Sequence, residues 1–299
     1  MRTAEAVLGG SGLPHALALL GLRDDDLASC LAVAAEVLGR VGDLAVVDRL
    51  AAALRQGIDR FPGEPDREPW PGYVSQADPY GVGVLPLLAL VATAPDLAAF
   101  HRSRGVPAEV SARTLTELGQ QAWVHRRTSG GFGLHTYGWL PVAWSGSLYW
   151  LGRLQFNLEL LADGWVCSTH IPESGPLDPK AVDRSFDQAG GFFARHFPER
   201  GVRDLWCCSW LLDPALAAAL DPGSNLARFQ RRWRLYGEPM PGDEDALFFT
   251  FHRRGNVDLS QLPRDTTLQR VIIDRLRAGR HWQLWHGRCP QPQPERLRS

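Results

Sequence analysis

The sequence predicts an α+β protein: a helical N-terminal domain, then a mixed β-sheet domain with flanking helices. Three observations lead there. Through about residue 127, apolar residues recur every three to four positions and nothing alternates like a strand. From residue 147, period-two segments appear between helical ones. Between these regions lies Thr128-Ser129-Gly130-Gly131-Phe132-Gly133, a break rich in turn formers. The expected division is a helical domain over 1–128, a sheet domain over 129–289 and a tail over 290–299.

In the first half, Leu27, Leu31, Ala34, Leu38 and Val41 mark one amphipathic helix, with Asp24 to Asp26 at its start. Leu44, Val47, Leu50, Leu54 and Ile58 mark a second. Residues 62–80 are rich in Pro, Gly, Asp and Tyr and read as a loop. A buried helix is expected around 84–101, with Pro86 tolerable in its first turn. Pro107 opens another, ending near Arg127.

In the second half, residues 147–160 form a period-two run. Leu154, Phe156, Leu158 and Leu160 fall on one face and Arg153, Gln155, Asn157 and Glu159 on the other. Asp163-Gly164 is a hairpin signal, and 165–171 is the returning strand. Asp178 caps a helix whose first residue is Pro179 and whose apolar face is Val182, Phe186, Ala189 and Phe193. Residues 204–210 form a strand that should run parallel to 165–171, because a helical crossover joins them. Short helices follow Asp213-Pro214 and Ser224-Asn225. Strands are expected at 246–253 and 281–288, with a helix over 266–276 between them.

The chain has 299 residues, 44% hydrophobic and 22% charged, which excludes wholesale disorder. Its formal net charge is −1, so no general polyanion surface and no nucleic-acid partner are expected. The apolar run near 82–92 is too short for a bilayer span, so no membrane association is expected. No secretory leader pattern opens the chain. The five cysteines form no C-x-x-C pair and are odd in number, which favours a reduced, cytoplasmic setting. Lys180 is the only lysine beside abundant arginine, a bias of the kind GC-rich genomes produce.

Nucleophile-elbow, P-loop, zinc-protease and dinucleotide motifs are absent, and no Cys/His spacing suits a metal. The informative segment is Ile171-Pro172-Glu173-Ser174-Gly175-Pro176-Leu177, between a strand and a helix. It delivers backbone N–H groups to a helix start, which suits a diphosphate; it also reads as an ordinary connection. His170, at the strand end, can take a proton near neutral pH or serve as a structural hydrogen-bonding group. Glu173 reads as a base acting through water or as a surface carboxylate. Cys208 reads as a nucleophile or as a small buried hydrophobe, with no paired base visible in sequence.

Several runs then coincide: L-G-R-L-Q-F from Leu151, H-I-P-E-S-G-P-L from His170, and S-F-x-x-A-x-x-F-F-A-R-H-F-P from Ser185. S-W-L-L-D-P from Ser209, S-N-L-x-x-F from Ser224 and L-P-x-x-T-x-L-Q-R from Leu262 complete the set. Together they resemble the bacterial two-domain acyltransferases with a helical N-acyltransferase-type N-terminal domain and a GNAT-like C-terminal domain. The resemblance is specific from Gly130 to Gly279, and the N-terminal half agrees in architecture.

It implies two central strands that splay apart around a thioester donor, acyl-CoA or a carrier-protein acyl-pantetheine, with no metal. It implies acyl transfer to an amine or hydroxyl of a small-molecule acceptor. His170 and Glu173 would act as base, with Ser209 and Cys208 beside the thioester. Ile171, Ser174, Gly175 and Leu177 would hold the donor. Asn225 would contact a pantetheine amide or cap its helix. Cys208 departs from the family, where a polar residue, often histidine, precedes S-W-L-L. A GNAT-like thioester hydrolase and a non-catalytic acyl-CoA- or partner-binding module are the alternatives.

Overall fold

The computed structural model describes residues 3–65 and 68–290. The chain forms two compact units. One holds the residues up to Trp150 together with Asn157–Gly164; the other holds Leu151–Phe156 and the residues from Trp165 onward.

The first unit begins with helices α1 (Ala4–Leu8), α2 (Leu13–Leu19), α3 (Asp24–Leu38) and α4 (Val41–Gly57). Then come α5 (Val84–Ser103), α6 (Ala108–Leu115), α7 (Glu117–Ser129) and α8 (Leu140–Trp144). Among the described residues, no strand precedes Leu148. Asp24, Asp25 and Asp26 occupy the first turn of α3, where carboxylates favour the helix dipole.

Helix α5 runs for 20 residues, further than the apolar run near 82–92 suggested, and is long and apolar enough to cross a membrane. Most of its apolar window is buried: Leu87, Leu88, Leu90 and Ala92 lie in the core with Leu17, Leu50 and Trp144. The Trp144 indole N–H donates to the Leu90 carbonyl at 3.0 Å.

The single helix expected from Pro107 to Arg127 is two helices. Near their junction at Thr116 the chain packs against the Leu20-Gly21 backbone. Gly119 N–H donates to the Leu20 carbonyl at 2.9 Å, and a Cβ at Gly119 would strike the Gly21 carbonyl.

The remaining elements are β1 (Leu148–Leu151), β2 (Leu154–Leu161), β3 (Gly164–His170), α9 (Pro179–His196), β4 (Asp204–Ser209), α10 (Pro214–Ala219) and α11 (Asn225–Gln230). Then follow β5 (Arg234–Pro241), α12 (Asp243–Phe251), α13 (Thr267–Arg277) and β6 (Gln283–Pro290). The strands form one six-stranded sheet in the order β1-β2-β3-β4-β6-β5.

Three expectations change here. The period-two run 147–160 is two strands, separated by a turn in which Gly152 has φ +66°. On its polar face Gln155 and Asn157 are buried, while Arg153 and Glu159 are half-buried. The strand expected at 246–253 is helix α12. A short apolar run such as Ala246–Phe251 does not reveal its period, while Asp243, Glu244 and Asp245 supply a helix start. The partner of β6 is instead β5, hidden by Gly237, Pro239 and Pro241. As an edge strand it tolerates prolines, and its register shifts between Tyr236 and Met240.

Helix α9 follows its sequence pattern. The Asp178 carboxylate accepts from Ala181 N–H at 2.9 Å, and Val182, Phe186, Ala189 and Phe193 are buried. Phe186 meets Phe156 and Trp233 edge to face at 6.2 and 5.7 Å. Burying each such ring contributes about 2–3 kcal/mol, which fixes the crossover against the sheet. Helix α13 opens with a capping box of Thr266 and Gln269. Residues 291–299 of the expected tail lie outside the described residues; Pro290 pairs with Asp204.

Candidate active site

The sheet changes character at the ends of β3 and β4. These strands are parallel and pair at Cys167 with Leu205 and at Ser168 with Trp206. The ladder ends there, although β3 continues to His170 and β4 to Ser209. β4 stays paired with β6 along its whole length, from Asp204 opposite Pro290 to Ser209 opposite Trp285. β4 therefore follows β6, and beyond Ser168 and Trp206 the facing edges of β3 and β4 are no longer paired with each other. Backbone groups along such edges need partners, and the amides of an extended ligand can supply them.

Paired residues on neighbouring strands share a face. Ser168 and Trp206 pair, so two residues onward His170 and Cys208 face the same side, one on each strand end. Cys208 is opposite His286 on β6, and His286 is opposite Tyr236 on β5. The row across this face is His170, Cys208, His286, Tyr236.

The His286 ring stacks on Trp206 with centroids 5.5 Å apart, and the Trp206 indole N–H donates to the Tyr236 hydroxyl at 2.7 Å. His286 Nδ1 is buried with no hydrogen-bond partner among the described residues. Cys208 thus has an imidazole on the adjacent strand, far away in sequence. No sequence spacing could show it; the register does.

His170 is half-buried, and burial pushes its imidazole down to about 4. At neutral pH it is uncharged and able to accept a proton. Burial raises the thiols of Cys167 and Cys207, which point to the opposite face and stay protonated.

Ser209 also falls on that opposite face, by alternation from Cys208. Its hydroxyl accepts from Leu211 N–H at 3.1 Å and caps the turn Trp210–Leu212. The structure therefore does not bring Ser209 together with His170 and Cys208.

From His170 the chain enters the segment Ile171–Leu177. Ile171 is half-buried, Leu177 is buried, and Glu173, Ser174 and Gly175 are exposed. Gly175 has φ +116°, a conformation suited to glycine. Glu173 lies 3.6 Å from His252 Nε2. His252 ends α12 at φ 53°, in the left-handed region a non-glycine residue rarely adopts. The loop's carbonyls are gathered by Arg153, which sequence reading did not single out.

Asn225 is the first residue of α11; the cap is Ser224, whose hydroxyl accepts from Ala227 N–H at 3.2 Å. His281 is held by Asp243 at 2.6 Å. Among the described residues, no group of three or more His, Cys, Asp or Glu could hold a metal.

Parallel strands whose pairing ends before a loop leading into a long crossover helix match what the resemblance to GNAT-like domains implies. The sequence matches the N-acyltransferase N-terminal domain over residues 11–146 and the GNAT-like C-terminal domain over residues 148–289. It is similar to a solved acyltransferase in complex with decanoyl-CoA and teicoplanin: 34% identity over 92% of this chain and 86% of that one, TM-score 0.85. An acyltransferase mutant in complex with octanoyl-CoA is 33% identical over 95% of this chain and 88% of its own, with TM-score 0.87. An acyltransferase in complex with CoA and 10C-teicoplanin gives the same values. A search of curated proteins found no match.

The chain belongs to the two-domain acyltransferases that join an N-acyltransferase N-terminal domain to a GNAT-like C-terminal domain. It is a GNAT-like acyltransferase.

Proposed function

We propose that this protein moves a fatty acyl group from acyl-CoA to an amine or hydroxyl of a small-molecule acceptor. The observation that carries the reading is the early end of the β3–β4 ladder directly before the Ile171–Leu177 loop. The pantetheine arm would lie between these strand ends and satisfy strand backbone groups. The diphosphate would lie on the loop, at the start of α9. The relatives' complexes with decanoyl-CoA and octanoyl-CoA support a medium-chain donor, and teicoplanin makes a glycopeptide the first acceptor to try.

In this reading the thioester carbonyl sits between His170 and Cys208. His170, neutral at pH 7, takes a proton from the acceptor nitrogen or oxygen as it attacks the carbonyl carbon. The tetrahedral oxyanion is met by strand N–H groups at these strand ends. The C–S bond then breaks, and the departing thiolate takes the proton of the Cys208 thiol; Cys208 is reprotonated from solvent by way of His286 as His170 releases its proton to solvent. Glu173, beside His252, would hold the loop or act as a base through water. Ser209 acts through its cap, fixing where β4 turns away. Asn225, at the start of α11, would contact a pantetheine amide. A reducing, cytoplasmic compartment fits five free cysteines.

The test is release of free thiol from decanoyl-CoA with and without teicoplanin, with mass analysis of the acceptor. Acceptor-dependent release and an acylated product are expected. Release without acylated product would make the protein a thioester hydrolase, and tight CoA binding without release would make it a binding module.

A further inference from the structure

Arg153 sits in the turn between β1 and β2. Its backbone N–H donates to the Ser185 hydroxyl at 2.7 Å, and that hydroxyl donates to the Ala181 carbonyl in the first turn of α9 at 2.9 Å. The turn comes this close because residue 152 is glycine; a Cβ there would lie 2.6 Å from the Ser185 oxygen. The Arg153 backbone is thus fixed to the helix that the loop leads into.

The guanidinium reaches the loop itself. Nε donates to the Pro176 carbonyl at 2.9 Å and Nη2 to the Gly175 carbonyl at 2.6 Å. Nη1 donates to the Pro172 carbonyl at 3.1 Å and to the Ser174 hydroxyl at 3.2 Å. A planar fork of five N–H donors can serve several acceptors at once in this way; a lysine ammonium cannot.

The peptide plane converts these bonds into a ligand-facing geometry. No peptide here is cis, and in a trans peptide the C=O and N–H point opposite ways. Holding the carbonyls of Pro172 and Pro176 on Arg153 turns the N–H groups of Glu173 and Leu177 to the other side of the loop.

Charge points the same way. All four acceptors are neutral, and no carboxylate pairs with Arg153 among the described residues. Burial disfavours this charge and lowers the guanidinium's affinity for its proton. A part-buried cation with no counter-ion is costly, and an anion on the loop offsets that cost. The chain's only lysine, Lys180, is exposed in the first turn of α9, where a cation opposes the helix dipole. The nearby carboxylates are engaged: Asp178 caps α9 and Glu173 faces His252.

Building on the donor-site reading, we propose that Arg153 is a positioning residue that shapes the 171–178 loop into a receptor for the diphosphate of acyl-CoA. It thereby selects donors carrying a nucleotide diphosphate over thioesters whose pantetheine lacks one.

The experiment compares decanoyl-CoA with decanoyl-pantetheine as donors for the full chain and its Arg153→Met and Arg153→Lys variants. Arg153→Met should raise KM for decanoyl-CoA by about tenfold or more, as expected for lost donor binding, with kcat little changed. KM for decanoyl-pantetheine should stay as it is. Arg153→Lys keeps the charge without the fork and should recover only part of the loss. Equal losses with both donors, or no loss with either, would overturn the role. Melting curves check folding, and the lysine variant carries the comparison if the methionine variant does not fold.

Hydrogen exchange of the wild type with CoA separates the two layers. If CoA protects residues 171–178 and Arg153→Met shows no donor-specific loss, only the Arg153 role falls. If CoA protects another region, the donor-site reading falls with it.

Discussion

His170→Asn tests the proposed base and the cause of its perturbation together. The folded imidazole titrates at about 4, against an ordinary 6.5, because burial disfavours its charged form. That difference is worth about 3 kcal/mol. The folded state binds this proton less readily than the unfolded chain. The stabilisation is therefore complete above pH 6.5 and is lost as pH falls through about 4. Moving from pH 7.5 to pH 5 should cost the wild type about 2 kcal/mol from this residue alone. Urea melts at both pH values measure it. His101, buried in the helical unit, is also lowered to about 4 and remains in the variant, so the difference between the two proteins isolates His170. Single-turnover thiol release from decanoyl-CoA, with acceptor saturating, reads the chemistry. Removing a general base should lower the rate about 10²-fold or more. Any acid limb that comes from protonation of the acceptor amine should persist in both proteins. A single-turnover rate within about threefold of wild type would return His170 to a purely structural role. Equal pH dependence of stability in the two proteins would refute the burial argument.

Two further perturbations probe the parts that position the site and the helical unit. His252→Gly should relieve about 1 kcal/mol of left-handed backbone cost while removing the partner of Glu173. Thermal stability should hold or rise while KM for decanoyl-CoA increases; unchanged KM would remove the loop-holding role of His252. In the helical unit, Gly119→Ala should destabilise by about 1–3 kcal/mol, because the new methyl meets the Gly21 carbonyl in a closed contact. A urea midpoint equal to wild type would show that the α6–α7 junction can yield.

Sequence carried the fold furthest where local rules and burial agree. Asp178 as cap, Pro179 at the first helical position and four apolar residues at helical spacing make α9 readable without coordinates. The same rules miss where they conflict. The apolar residues of α12 are too few to fix a period, and the prolines of β5 look like loop until the strand is seen at a sheet edge. Of the proposed site, His170 and the 171–177 loop stand out in the sequence because they are contiguous at a strand-to-helix junction. Arg153 and His286 do not, because each acts on a segment distant in sequence. Arg153 reaches the loop from the β1–β2 turn, and His286 stands opposite Cys208 in the β4–β6 register.

That register bears on how the site works without a histidine at position 208. A thiol is smaller than an imidazole and a weaker hydrogen-bonding group, so Cys208 alone would leave β4 poorly equipped for proton transfer. Cross-strand placement offers a substitute: His286 shares the face of Cys208, and its ring is set by stacking on Trp206, which Tyr236 holds through the indole N–H. Such an imidazole is oriented by packing rather than by a carboxylate, and its buried Nδ1 retains a free position. On β3, His170 is kept neutral by burial. Beyond the paired part of β3 and β4, this face of the sheet carries His170 on β3 and, across β4, Cys208 with His286 opposite it on β6. In the proposed mechanism one imidazole would accept the proton of the attacking group, and the other, through Cys208, would supply one to the leaving thiolate. This division follows from the face and register of three strands, and it requires the early end of the β3–β4 ladder. Were those strands paired to their tips, the His170 and Cys208 side chains would share a face with no room for a thioester between the backbones that carry them.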